Sequence, residues 1–438
     1  MSDKEILSQL KKLDAPEFIR DQWLQGRLAL GEEFKTKWSG QYDFAAKLLA
    51  DEWHDEEVKE IAELVRVATY PTWYEFHNKG NIHYTYANVP VLDWYLGRPR
   101  QTYFSIKRKT MVGLYHLLQS LIKFESDSIT GIERVSRKTL AEGILAKRLL
   151  VLKEAVSSFD ELWKVVCGDR PLEKYEIHAY GSFEDYSSEP SRLSGLLHFS
   201  CFPQTPFHDE VLFIRALNLS ELGFHGIRMS VIEAVECLKV NRAKAANAVL
   251  TQALYFARLL HVVLKVLRTM PPAHFADFRF ATEGASALQS RGFHLMEIHY
   301  RGVNEAKLKT LRRLPYLADL EKFNHPSFVY LGSAIRKLDE KENKDLFETV
   351  RQLDRQLLTW RALHLSFAKV YSPEGMPGTG GTLGAPYLSH FLKSGIFDTT
   401  TVDMDLITER FADFPEVHDM FKSVSSDWNI SPPQDRIH

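Results

Sequence analysis

Apolar side chains recur at three- and four-residue spacings along most of this chain, the period of one face of an α-helix. From Lys107 to Phe124 the stripe is Met111, Leu114, Leu118, Leu121 and Ile122, and Leu140 to Val166 continues in the same style. Further helices are predicted over His208 to Phe224, Met229 to Leu238 and Ala243 to Met270. The last is stopped by Pro271 and Pro272, which lack the N–H that would extend the ladder. A long helix is predicted over Lys344 to Tyr371, with Leu353, Leu357, Trp360, His364, Phe367 and Tyr371 on one inward face. Three stretches depart from the pattern. Between Tyr175 and Phe202, EIHAYGSF and LLHFSCF alternate weakly around the turn-rich YSSEPSRLSG, which predicts a hairpin or a long loop. The segment FRFATEGASALQSRGF, from Phe278 to Phe293, reads as irregular, and the aromatic-rich stretch 67–104 follows no single period. The fold class is mainly α: a helical bundle over 191–438 preceded by a mostly helical region over 1–190, with the boundary in the 175–202 break.

A chain of 438 residues is long enough to bury a deep, dry pocket. Its 55 basic side chains nearly balance 57 acidic ones, so no global field draws it to nucleic acid, to an anionic membrane or to a polyanionic substrate. Cys167, Cys201 and Cys237 are odd in number and lack CxxC spacing, which argues against a disulfide framework and suits a reducing compartment. The charged start MSDKEILSQLKKLD lacks the apolar core of a signal peptide. The most apolar stretch, Ala253 to Met270, is interrupted by Arg258, His261, Lys265 and Arg268. The expectation is a soluble, cytoplasmic protein with no membrane and no nucleic-acid partner.

The candidate chemistry gathers at WRALHLSFAKVYSPEGMPGTGGTLGAPYL, residues 360–388, where a helix carrying His364 runs into a loop with five glycines and three prolines. A neutral imidazole in an apolar stripe is ordinarily a satisfied core residue. No His, Cys, Asp or Glu lies at i−4 or i+4, so a chelated zinc is not expected. A single histidine suffices as metal ligand only where a cofactor supplies the equatorial donors, as in haem. GTGGTLG follows a helix rather than a strand, so it is no dinucleotide fingerprint, and it lacks the Gly-Lys-Ser/Thr ending of a P-loop. Two readings of the loop stay open on these grounds: a surface loop, or a backbone that closes on a flat ligand.

Three blocks in order make the chain resemble the tryptophan 2,3-dioxygenase and indoleamine 2,3-dioxygenase superfamily of haem proteins, over about residues 200–395. His208-Asp209-Glu210-Val-Leu-Phe213-Ile214, with Glu221, Leu222 and Phe224, is similar to the family's HDEMLFI…ELWF. The stretch from Pro272 to Arg279, with Ser286 to Ser290 and Phe293 to Glu297, is similar to its FRxxL…SGFQS…FxxxE. Trp360-Arg361-x-x-His364, followed fourteen residues later by Gly378-Thr379-Gly380, is similar to its ligand helix and closing loop. The resemblance implies haem b (iron protoporphyrin IX) as cofactor, with His364 as proximal iron ligand. It implies dioxygen and a small aromatic amino acid, tryptophan or a related indole, as substrates, and oxidative cleavage of the indole C2–C3 bond as the reaction. Arg279 would clamp the substrate carboxylate, Phe213 would face the indole, and Gly378, Thr379 and Gly380 would close over the amino-acid end. Nothing is carried over to residues 1–170, and homo-oligomerisation is left open.

The departures fall in the implied pocket. Leu217 stands where the tryptophan enzymes have a distal histidine, Phe275 where they have a carboxylate-binding tyrosine, and Gly223 where they have a bulky tryptophan. In these respects the chain resembles a divergent bacterial branch that includes the haem enzyme of pyrrolnitrin biosynthesis. The alternatives to C2–C3 cleavage are therefore hydroxylation or rearrangement of a modified tryptophan or other aromatic amino acid, or haem binding without turnover.

Overall fold

The computed structural model describes residues 2–11, 26–51, 53–97, 102–130, 142–172, 189–282, 285, 289–372, 392, 395–397 and 402–410. Among them the regular elements are helices, with no strand, as the periodicity predicts. Two compact units are formed by non-contiguous chain: Met1–His225 with Thr269–Phe293, and Gly226–Arg268 with His294–His438.

In the first unit, α1 (Asp3–Lys11), α2 (Glu32–Leu49) and α3 (Glu56–Asn78) are followed by the short α4 (His83–Tyr86) and α5 (Val89–Leu96). Helices α2 and α3 pack together, and α3 also meets α5. Residues 67–97 of the aromatic-rich stretch thus resolve into helices whose aromatic side chains mask the period. Lys79 and Asn88, both with left-handed backbone, turn the chain between them. The pair α6 (Tyr103–Thr130) and α7 (Glu142–Cys167) matches the sequence expectation and extends it by a turn at the first helix's ends.

Helix α8 (Glu189–Phe199) replaces the second arm of the expected hairpin. Leu193, Leu196 and Leu197 are buried on it, and three- and four-residue spacing outweighs the short alternation of LLHFSCF. Gly195 lets it approach Trp94, where a Cβ would sit 2.9 Å from the indole. The first arm of that expected hairpin lies outside the described residues. Helix α9 (His208–Lys239) is continuous where the sequence predicts two helices. Its glycines lower helix propensity by about 1 kcal/mol each, but tertiary packing overrides that cost. At Gly226 the Phe256 ring occupies the space a side chain would need.

In the second unit, α10 (Ala243–Leu267) packs along α15 (Lys344–Tyr371). Helix α10 is long and apolar enough to cross a membrane, but 72% of its most apolar window is buried inside the protein, the signature of a core helix. Helix α15 has the predicted bounds, with Leu346, Val350, Leu353, Leu357 and Leu358 buried along it. After α12 (Arg291–Arg301), α13 (Glu305–Arg313) and the 3₁₀ helix Pro315–Phe323 close a small core of Ile298, Leu311, Leu317 and Leu320. The short α14 (Leu331–Ile335) precedes α15, and α16 (Met404–Arg410) packs on α15.

Candidate functional site

Of the substrate positions expected from the sequence, Phe213, Leu217, Phe275 and Arg279 lie in the first unit on α9 and on α11 (Pro272–Thr282). Helix α11 corrects the irregular reading of the segment beginning at Phe278. Pro272 occupies the first helical position, where a missing N–H is harmless, and the helix continues through Arg279. Phe213 and Leu217, one turn apart on α9, are half-buried, whereas Leu212, Ile214, Arg215, Ala216 and Asn218 beside them are buried. The half-open stripe meets α11. The Phe213 ring lies 5.4 Å from Phe275 and 5.7 Å from Phe278, while Phe275 and Phe278 meet edge-on at 5.4 Å. Tyr86 closes another side at 6.2 Å. Such tilted and edge-on rings make an apolar wall suited to a flat aromatic ligand. Arg279, one turn beyond Phe275 on the same face, is half-buried, and burial lowers its pKa from the ordinary value. The guanidinium keeps its charge at neutral pH regardless.

The polar residues of the first sequence block are consumed structurally. His208 Nε2 lies 2.9 Å from Glu125 Oε2, and its ring stacks on Phe124 at 4.4 Å. Asp209 pairs with Arg148 at 2.7 Å and with His274 Nδ1 at 2.7 Å. Glu210 accepts from Tyr86 at 3.0 Å and from the backbone N–H groups of Gln204 and Thr205 at 3.0 and 2.7 Å. Burial nevertheless raises the Glu210 carboxyl above its ordinary range, against these hydrogen bonds. Three turns further along, Glu221 accepts from Ser290 and lies 2.9 Å from His83 Nε2, while Gln289 accepts from the His83 backbone N–H at 2.7 Å. His83, Glu125 and Arg148 carry no motif in the sequence, and only the fold reveals their part.

In the second unit, His364 lies among buried neighbours, Arg361 to Leu363 and Leu365 to Phe367, yet is itself only half-buried. It is more open than the inward-facing stripe predicts. Its ring stacks on Trp360 at 5.5 Å and 19°. Among the described residues neither ring nitrogen has a hydrogen-bond partner. Desolvation pushes its pKa down to about 4, leaving the neutral imidazole that a metal requires. Among the described residues no three His, Cys, Asp or Glu side chains converge as a metal site. Arg361, one turn earlier, is buried against Glu297, which also takes Arg301 at 3.0 Å and Lys307. Asp354 accepts from Tyr300 at 3.0 Å and from the backbone of Ile396 and Phe397 at 2.9 and 3.1 Å, so α15 anchors the chain beyond the glycine loop. Gly378, Thr379 and Gly380 lie outside the described residues.

No family model matches the chain. The tryptophan 2,3-dioxygenase of Herpetosiphon aurantiacus is 28% identical over 236 residues, 46% of this chain and 90% of that enzyme. The tryptophan 2,3-dioxygenase of a Nocardioides species is 28% identical over 213 residues, 42% and 79% of the two chains. That of Ruegeria pomeroyi is 28% identical over 176 residues, 39% and 61%. With the helical architecture and the ordered blocks on α9, α11, α12 and α15, these similarities support the tryptophan 2,3-dioxygenase and indoleamine 2,3-dioxygenase superfamily for this chain, and with it an oxidoreductase of the dioxygenase type.

Proposed function

We propose that the chain is a haem-dependent oxygenase that binds tryptophan or a related indole amino acid and uses dioxygen, with cleavage of the indole C2–C3 bond as its reaction. His364 carries the proposal: a neutral, half-open imidazole without a hydrogen-bond partner among the described residues would hold the iron of haem b. When bound, the haem supplies the activation of dioxygen. The chain's own residues bind and orient the substrate. Arg279 offers two parallel N–H donors to a carboxylate, a geometry that lysine does not duplicate. Phe213, Phe275 and Phe278 give the indole an apolar surface and exclude water from it. Thr379, with Gly378 and Gly380, completes the amino-acid end. In this reading residues 191–438 are the dioxygenase-like part and 1–190 are an addition to it. The compartment is the cytoplasm, in keeping with three free thiols.

Leu217 and Phe275 favour a second outcome at the same site. Neither side chain accepts or donates a proton, so the indole N–H meets no base on the Phe213 stripe and the carboxylate loses one polar contact. Hydroxylation or rearrangement of a modified indole suits such a pocket. The absorption spectrum of the purified protein tests the proposal. A Soret band is expected that tryptophan perturbs and His364→Ala abolishes or shifts. Protein that cannot be reconstituted with haem refutes it, and product analysis separates ring-opened N-formylkynurenine from a rearranged indole.

A further inference from the structure

We infer that Arg148, which lies outside every block shared with the dioxygenases, is a positioning residue for the substrate-carboxylate clamp and acts through Asp209 and His274. The inference rests on the role proposed for Arg279. Arg148 is fully buried on α7 and reaches three places at once. Its Nη1 donates to Glu125 on α6 at 2.8 Å, its Nη2 pairs with Asp209 on α9 at 2.7 Å, and its Nε donates to Thr269 Oγ1 at 3.0 Å. Thr269 stands three residues before the start of α11. The other oxygen of Asp209 holds His274 Nδ1 at 2.7 Å, within the first turn of α11.

The consequence is geometric. His274 directly precedes Phe275 and is five residues ahead of Arg279, so both approaches to α11 are referred to one buried guanidinium. On α9, Asp209 is likewise one turn before Phe213. The carboxylate clamp is therefore registered against a point that is supplied by the N-terminal region. A planar fork with donors on three nitrogens spans Glu125, Asp209 and Thr269 together; a lysine ammonium does not. Arg148 touches none of the proposed ligand positions itself. A displacement of about 1 Å in such a clamp is enough to cost on the order of 100-fold in function.

Calorimetric titration of the haem-loaded protein with L-tryptophan and with tryptamine, which lacks the carboxylate, tests this. Arg148→Lys and His274→Leu are expected to raise the Kd for L-tryptophan by about tenfold or more and to leave that for tryptamine within about twofold. His274→Asn, whose amide nitrogen lies near the place of Nδ1, is expected to retain wild-type affinity for both. His274 is 26% exposed, so its variants keep the test decisive even where Arg148→Lys does not fold. Parallel loss of both ligands, or unchanged L-tryptophan binding, overturns the inference while the proposed function stands. Wild-type protein that binds haem but not L-tryptophan overturns the proposed function and the inference with it.

Discussion

Glu297 is the sharpest place to test how the histidine-bearing helix is held. Its buried carboxylate faces Arg301, Lys307 and Arg361, and burial, which alone would raise its pKa, is outweighed by these three cations so that it stays well below the usual carboxylate range. The balance is asymmetric: one anion serves three cations. Glu297→Gln takes this counter-charge from buried Lys307 and Arg361 and from half-buried Arg301, and removing one partner from a buried pair typically costs about 3–5 kcal/mol. For a unit of this size that corresponds to a fall of roughly 6–20 °C in Tm. Lys307→Met removes a surplus cation and leaves two pairs intact, so its cost is expected to stay under about 1.5 kcal/mol, in the range of volume-conserving replacements. Burial pushes Lys307 down to about 8, against the attraction of Glu297, from an ordinary value of 10.5. Between those values the unfolded chain holds the extra proton, so Lys307 makes stability rise with pH there; without Glu297 its folded pKa falls further, so the Glu297→Gln deficit should shrink as pH rises towards about 8 and stay level above it. Urea unfolding followed by far-ultraviolet circular dichroism at several pH values measures all three quantities. A Glu297→Gln loss below about 1 kcal/mol, or a Lys307→Met loss equal to it, would refute the reasoning.

At Glu125 burial raises the carboxyl, but Arg148 and His208 outweigh it and hold the pKa below its ordinary 4.5, so its contribution is present above that value and lost as pH falls through the folded one. Glu125→Gln should therefore be less stable than wild type near neutrality, with the gap closing on acidification in circular-dichroism melts. Gly226→Ala forces a methyl into the Phe256 ring and should cost about 1–3 kcal/mol in denaturant titrations. Leu217→His restores a proton acceptor on the Phe213 stripe and should raise the share of N-formylkynurenine among products; an unchanged product ratio would count against Leu217 facing the substrate.

Helix α15 was legible to the residue because its apolar positions obey one period from Leu346 to Tyr371 and nothing competes with them. The stretch 67–104 was not, because Tyr70, Trp73, Tyr74 and Tyr84 are half-buried rings that pack on one another and blur the line between inside and outside. Weak alternation misled at α8, where a few residues of LLHFSCF satisfy a strand period and a helix period equally well. Pro271 and Pro272 misled differently: they do end α10, but Pro272 also begins α11, so the segment carrying Arg279 is ordered where the sequence suggests a loop.

The site divides along the same physical line. His208, Asp209 and Glu210 are the most eye-catching polar run in the sequence, yet each is buried and its side chain is engaged by partners within the protein. Sequence alone conveys that such a run matters, not that its role is to fasten helices. Phe213, Leu217 and His364 look like ordinary core on periodicity, but each is only half-buried while its neighbours are sealed. A core position left half-open has apolar or imidazole surface that folding has not satisfied, and ligand binding is what can satisfy it. In this protein the polar run that chemistry would usually nominate builds the frame, and the residues that packing would usually claim are those left half-open.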